Sequence, residues 1–175
     1  MKHIRKPAEG EFDPYAIMYI SLLPDDGLAL KQLKDNYKTI KKFIFSLPEE
    51  KLVYRYAEDK WTIKEILVHL MDDERIYSYR ALRIARNDKT PLPGFEQTDY
   101  VPFSRANERS LKNIFREYLT IRNSTLTLFK SFSKEDVLRI GIANGHPVSV
   151  RALAYQIAGH ELHHLNIIKG KYLKH

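Results

Sequence analysis

The sequence predicts an all-α protein built as a four-helix bundle. Four long segments place apolar residues at helical spacing, and three of them open on a Ser or Thr that suits an N-cap. Pro- and Gly-bearing stretches separate the segments, one of them long enough to cross the length of a bundle. The 175 residues fit one domain. A domain of roughly 150 residues buries about 70% of its unfolded surface, so it needs neither disulfides nor a structural metal to stay folded. The expected division of residues 1–175 is an N-terminal arm over 1–24 and a helical bundle over 25–175.

After the arm, Pro24-Asp25-Asp26-Gly27 reads as a turn, with Asp25 the expected N-cap. The first helix carries Leu33, Tyr37, Ile40, Ile44 and Leu47 at alternating spacings of four and three, and Pro48 stops it. The second is announced by Thr62 with Glu65 three residues on, the pattern of a capping box. It is expected over residues 63–86, with Ile63, Ile66, Leu70, Tyr77, Ala81 and Ile84 inward. Residues 87–103 hold Pro91, Pro93, Gly94 and Pro102 and no helical period, so they form a long loop. Ser104 is the expected start of the third helix, whose stripe is Leu111, Ile114, Tyr118, Ile121, Thr125, Leu128 and Phe132. Ser133 and Asp136 suit a short capped turn. Asn144-Gly145, between Arg139-Ile140-Gly141-Ile142 and Pro147-Val148, signals a small hairpin. Ser149 then caps the last helix, expected over residues 150–171.

Composition narrows the chemistry. The absence of cysteine excludes a disulfide framework, a thiolate zinc site, an iron–sulfur cluster and a cysteine nucleophile. A transition-metal site must use His, Asp, Glu and water. The net charge of +7 is spread along the chain and interleaved with acids, which argues against a nucleic-acid surface. The longest apolar run, residues 15–23, is about half of a membrane span. No targeting segment follows the basic start. A soluble cytoplasmic protein is expected.

The last helix holds the chemistry. At 100° per residue, Leu153, Ile157, His160, His164 and Ile167 fall within an arc of roughly 80°. His160 and His164 therefore sit one turn apart on the core-facing stripe, while His163 lies on its flank. Two imidazoles on an apolar stripe are costly unless their nitrogens find partners. Neighbouring carboxylates or tyrosines could serve, but a pair at i and i+4 is the spacing that converges on one ion. His160-Glu161-Leu162-His163-His164 also fits the HExxH pattern of zinc proteases. The extended form of that motif is missing, since Ile167 and Gly170 stand where it has Gly and His. None of residues 165–175 is acidic, so a third ligand is expected upstream. His69, mid-helix with Asp72 and Asp73 behind it, and His146, in the hairpin turn, are the candidates, with His3 in the loose arm. His69 has the attraction that it can face the pair across a bundle core.

Several blocks together resemble the DinB-like (YfiT-like) family of metal-dependent enzymes. They are Lys60-Trp61-Thr62-Ile63-Lys64-Glu65, His69-Leu70-Met71-Asp72-Asp73-Glu74-Arg75 and Val148-Ser149-Val150-Arg151-Ala152-Leu153, running into Gly159-His160-Glu161-Leu162-His163-His164-Leu165. Tyr79-Arg80-Ala81-Leu82-Arg83-Ile84-Ala85-Arg86 and Pro91-Leu92-Pro93-Gly94-Phe95 add to it. The resemblance spans about residues 15–172. It implies an up-down-down-up four-helix bundle and a three-histidine divalent metal site, with His69, His160 and His164 as ligands and water completing the coordination. Nickel and zinc are the ions it implies, and a homodimer the usual assembly. Some relatives are thiol S-transferases that join a low-molecular-weight thiol to an electrophile, and others are hydrolases.

The expectation is thus a metal-activated nucleophile acting on a small molecule, a thiolate in S-transfer first and water in hydrolysis second. A metal-binding bundle without turnover is the reading from another class. Any thiol must be a co-substrate, because the chain has no cysteine. Asp72, Asp73 and Glu74 are candidates to orient ligands or act as a general base, although exposed helix acids are commoner. Glu161, expected to be only partly inward, is a secondary candidate. Tyr15 and Tyr19 are candidates to close the pocket.

Overall fold

The computed structural model describes residues 2–173. Met1, Lys174 and His175, at the ends of the expected domain, lie outside the described residues. Four long helices carry the architecture: α1 (Ala29–Ile44), α2 (Ile63–Ala85), α3 (Leu111–Ser131) and α4 (Val150–Ile167). α4 runs on into a π-helical turn, Ile168–Tyr172. Before it stands an antiparallel hairpin of β1 (Ile140–Ala143) and β2 (His146–Ser149), in which Ile140 faces Ser149 and Ala143 faces His146. Asn144 and Gly145 at its tip have φ of 51° and 78°, the left-handed pair that a tight hairpin turn demands. Among the described residues no helix is long and apolar enough to cross a membrane.

Side-chain pairs give the helix directions. Arg75 meets Glu117 at 2.5 Å and Ser78 meets Thr125 at 3.0 Å, so α2 and α3 run parallel. Tyr37 donates to the Phe115 carbonyl, whereas Arg122, two turns later, reaches Leu33, so α1 and α3 are antiparallel. Trp61 lies by His164 and His69 by His160, which sets α2 antiparallel to α4. The order is therefore up-down-down-up. α1 and α2, consecutive in sequence, sit diagonally, as do α3 and α4. Parallel neighbours need a crossover along the whole bundle. This is the physical reason for the long segment between α2 and α3.

Local chemistry accounts for most boundaries. Thr62 and Glu65 form the capping box of α2, with Glu65 Oε2 accepting from Thr62 N at 2.8 Å. Ser149 caps α4, and Ser133 and Asp136 cap each other's amides before the turn Asp136–Leu138. Two cap assignments are corrected. Asp25 does not cap α1, whose N-cap is Leu28 with no side-chain bond; instead Asp26 accepts from Leu28 N at 2.8 Å. The third helix starts after Ser110, not Ser104, because Ser104 is spent on a local turn, donating to the Val101 carbonyl at 2.7 Å. The long loop holds short turns, Gln97–Tyr100 and Val101–Phe103, and Leu92 N bonds Ile142 O at 2.9 Å.

The arm is not loose. Ile4 pairs with Leu28 and is buried, Ser149 N bonds Glu11 O at 2.9 Å, and the turn Ile17–Ile20 packs on α4. Gly159 permits that contact, since a Cβ there would lie 2.1 Å from the Tyr19 carbonyl oxygen. The arm's apolar residues Ala16, Tyr19, Ile20 and Leu23 are thus consumed within this chain.

The interior has two apolar clusters. One gathers Leu30, Ile84, Phe129, Leu153 and Tyr155 around the hairpin end, and the other Ile40, Leu67, Phe115, Tyr118 and Leu165 around the opposite end. A buried polar layer crosses the axis between them. Arg122 holds Glu74 through two bonds of 2.9 and 2.8 Å and Glu161 through one of 2.5 Å, and also donates to the Leu33 carbonyl. Tyr118 donates to Glu161, and Asn36 does so at 3.1 Å.

Candidate metal centre

Because α2 and α4 are antiparallel neighbours, His69, two turns past the Thr62 cap, stands beside His160 and His164. The Nε2 atoms of His69 and His160 are 3.1 Å apart, and those of His164 and His160 are 3.0 Å apart. One nitrogen from each of the three histidines lies within 4.8 Å of the other two. His69 and His160 are 4% and 3% exposed, while His164 is half-buried.

Behind these rings stands Asp73. Its Oδ1 is 3.5 Å from His69 Nδ1 and its Oδ2 3.5 Å from His160 Nδ1. A carboxylate facing both Nδ1 atoms favours protons there, which leaves the two Nε2 lone pairs pointing at each other. Burial pushes His69 down to about 4. Burial, and then His164 and His69, hold His160 well below the ordinary histidine value; burial, and then His69 and His163, do so for His164. The rings are neutral at pH 7, so each keeps a ring nitrogen with a free lone pair to offer one ion. Spacings of about 3 Å suit nitrogens bound to one ion at roughly 2.0–2.1 Å. Two orphaned buried atoms, Asp73 Oδ1 and His164 Nδ1, have no hydrogen-bond partner among the described residues. The donor set fits a divalent cation.

The four acids separate cleanly. Asp73 is 2% exposed and touches the histidines, with burial and then Asp72 pushing its carboxyl up to about 7. Asp72 is half-buried, 3.5 Å from Arg75. Glu74 and Glu161 are fully enclosed in the Arg122 layer, so the expectation of exposed helix acids fails for Asp73 and Glu74, and Glu161 is fully rather than partly inward. Successive residues on a helix diverge by 100°. Asp73 and His160 therefore face the outer groove between α2 and α4, while Glu74 and Glu161 face the axis. His69 thus meets the His160/His164 pair from the neighbouring helix, next to the Arg122 layer.

Among the other histidines, His146 lies 3.5 Å from Asp13 at the hairpin tip and His3 sits against Gly27 in the arm. His163 is on the flank, its ring 5.3 Å from that of Tyr19. Tyr19 also stands edge-on to His160 at 5.0 Å, whereas Tyr15 is 63% exposed and touches Tyr19. Trp61 is the residue that sequence reasoning left without a role. Its ring is 4.8 Å from His69 and stacks on His164 at 6.5 Å; its place just before the Thr62 cap, within the block of residues 60–65, was the signal.

The loop of residues 95–101 roofs the groove. His69, Asp72 and Asp73 line a narrow slot beneath Phe95, Gln97, Tyr100 and Val101. Phe95 and Gln97 also wall a neighbouring cleft of about 220 Å³, shared with Tyr15, Tyr19, Tyr77 and Arg80. His164 and Trp61 open on the other side of the roof, beside Thr98.

Comparison with known proteins agrees with this architecture. A relative from Oceanobacillus iheyensis, bearing the name "Putative metal-dependent hydrolase", is 30% identical over 144 residues, 80% of this chain and 81% of its own. The solved structure of YfiT from Bacillus subtilis is described as a probable metal-dependent hydrolase with an unusual four-helix bundle topology. It matches with a TM-score of 0.74 and 12% identity over 94% of this chain and 90% of its own, a likeness of fold. The family model described as the DinB superfamily matches residues 32–168, from within α1 into the turn that extends α4. The chain belongs to the DinB superfamily.

Proposed function

We propose that this protein is a metal-dependent hydrolase of small molecules, with His69, His160 and His164 holding one divalent ion. The observation that carries the reading is the meeting of three neutral imidazole nitrogens backed by Asp73. A divalent ion on neutral imidazoles keeps its full charge and, when bound, makes water or a thiol more acidic and polarises a substrate oxygen.

The chain's own groups do the rest. Asp73, 3.5 Å from both Nδ1 atoms, favours the His69 and His160 protons on that side of the rings. Asp72, in the same slot and less buried, is placed to take a proton from the attacking nucleophile. Tyr19 covers His160 and Trp61 covers His69, so both imidazoles are packed against aromatic rings. Nickel and zinc are the ions to test first, since imidazole suits both. The N-terminal arm belongs to the same functional unit, because it supplies Tyr19.

The test is a screen of ester, amide and phosphate-ester chromogenic substrates with nickel- and zinc-loaded protein. Hydrolysis that requires the metal and is lost in His160→Ala is expected. A second arm offers low-molecular-weight thiols with monochlorobimane; conjugation there without hydrolysis would reassign the chemistry to S-transfer. Turnover in neither arm contradicts an enzyme of this class.

A further inference from the structure

Arg80 is a buried cation that forms no ion pair among the described residues; the charge of Asp73, two turns away on α2, favours its cationic form only from a distance. Arg80 is 8% exposed, and among the described residues no carboxylate lies within ion-pair distance of it. Of its five N–H donors, the bond to the Pro93 carbonyl at 2.8 Å engages one group. Its guanidinium lies 5.9 Å from the Tyr77 ring and 5.7 Å from the Phe95 ring, so aromatic faces fix its plane. Arg80 lines the cleft of about 220 Å³ beside the histidine slot. Both acids on the cleft rim are occupied elsewhere. Asp13 accepts from Tyr15 N at 3.0 Å and lies 3.5 Å from His146, and Glu96 accepts from the Thr98 hydroxyl at 2.9 Å. The nearest acid in the interior, Asp73, stands between His69 and His160.

A partly desolvated cation whose nearest acid lies beyond ion-pair distance is costly to keep. A planar guanidinium held in place with spare donors is the usual receptor for a carboxylate or phosphate, which it binds through two parallel hydrogen bonds. Arg80 is one turn from Tyr77 and two turns from Asp73 on the same helix, and its cleft shares Phe95 and Gln97 with the histidine slot, so an oxyanion on Arg80 leaves the remainder of a small molecule next to that slot. We propose that this cleft is the substrate pocket and that Arg80 recognises an oxyanion, a carboxylate or a phosphate, carried by the substrate. The inference rests on the proposed metal-centred chemistry and names its substrate class.

Binding can be read without turnover. The full chain, both zinc-loaded and metal-free, is titrated with benzoate, phenyl phosphate and neutral benzamide, following the Arg80 Nε–H signal by NMR. That signal is assigned by its loss in Arg80→Lys. Benzoate or phenyl phosphate is expected to shift it saturably in both forms, and whichever binds tighter identifies the oxyanion. Benzamide should bind about tenfold more weakly or not at all, as the loss of a charge-assisted pair requires. Arg80→Lys and Arg80→Gln, compared by ligand-observed NMR, should lose about tenfold in anion affinity while retaining the wild-type metal content. Equal anion binding by wild type and Arg80→Gln, or no binding of either anion, overturns the proposal. Absence of metal with intact Arg80-dependent anion binding would instead sink the metal reading alone.

Discussion

Asp73 is the residue on which the geometry of the centre turns. Its two oxygens lie 3.5 Å from the Nδ1 atoms of two different histidines, so one carboxylate biases two tautomers. Asp73→Asn keeps the shape but can no longer accept from both rings as an anion. It should fold normally and lose about ten- to hundredfold in zinc affinity, measured by competition with a chelating dye. Wild-type affinity in that variant would deny Asp73 its orienting role. The histidine pair was legible because residues four apart on an apolar stripe must point together. Asp73 was not, because four successive residues, Asp72 to Arg75, cover the full circumference of a helix. Only the placement of α4 and α3 decides which acid meets a histidine and which meets Arg122. Arg122 itself left no signal: a lone arginine beside Ile121 reads as solvated until Glu74 and Glu161 are seen around it.

At the scale of elements, the arm and α4 behave as one packed unit. Gly159 lets the Tyr19 backbone approach so closely that any side chain there must push the arm away. Gly159→Ala is expected to cost roughly 1–3 kcal/mol, seen as a lower melting temperature, and to speed proteolytic cleavage within residues 8–13. An unchanged melting temperature and cleavage rate would show that the arm is not held there. Helix ends were legible where a cap is followed at once by a periodic stripe, as at Thr62 and Ser149. Ser104 misled because it meets the same compositional rule; the hydroxyl that caps is the one next to Leu111, and Ser110 has that place. The arm's docking was hidden, since beyond the Ile4–Leu28 pairing its partners on α4 and the hairpin lie more than a hundred residues away.

For the molecule as a whole, the polar layer divides the axis and pushes the reactive groups outward. Arg122 neutralises Glu74 and part of Glu161, whose carboxyl burial pushes upward. Arg122→Met would leave two buried acids without their cation and should destabilise the protein by about 3–5 kcal/mol in denaturant unfolding at pH 7. A loss below about 1 kcal/mol, the level of an exposed pair, would mean that the layer is solvated. The bundle class followed from periodicity, whereas the position of the site outside the axis did not. Periodicity marks the buried face, and α2 is buried on nearly every side between residues 63 and 71.

The measurement that bears most directly on the metal centre is elemental analysis of protein purified without a histidine tag, with His69→Ala and His160→Ala beside it. About one divalent ion per wild-type chain is expected, absent from both variants, with melting lowered when a chelator removes it. A metal-free wild-type protein whose melting neither chelator nor added zinc or nickel changes would contradict the account.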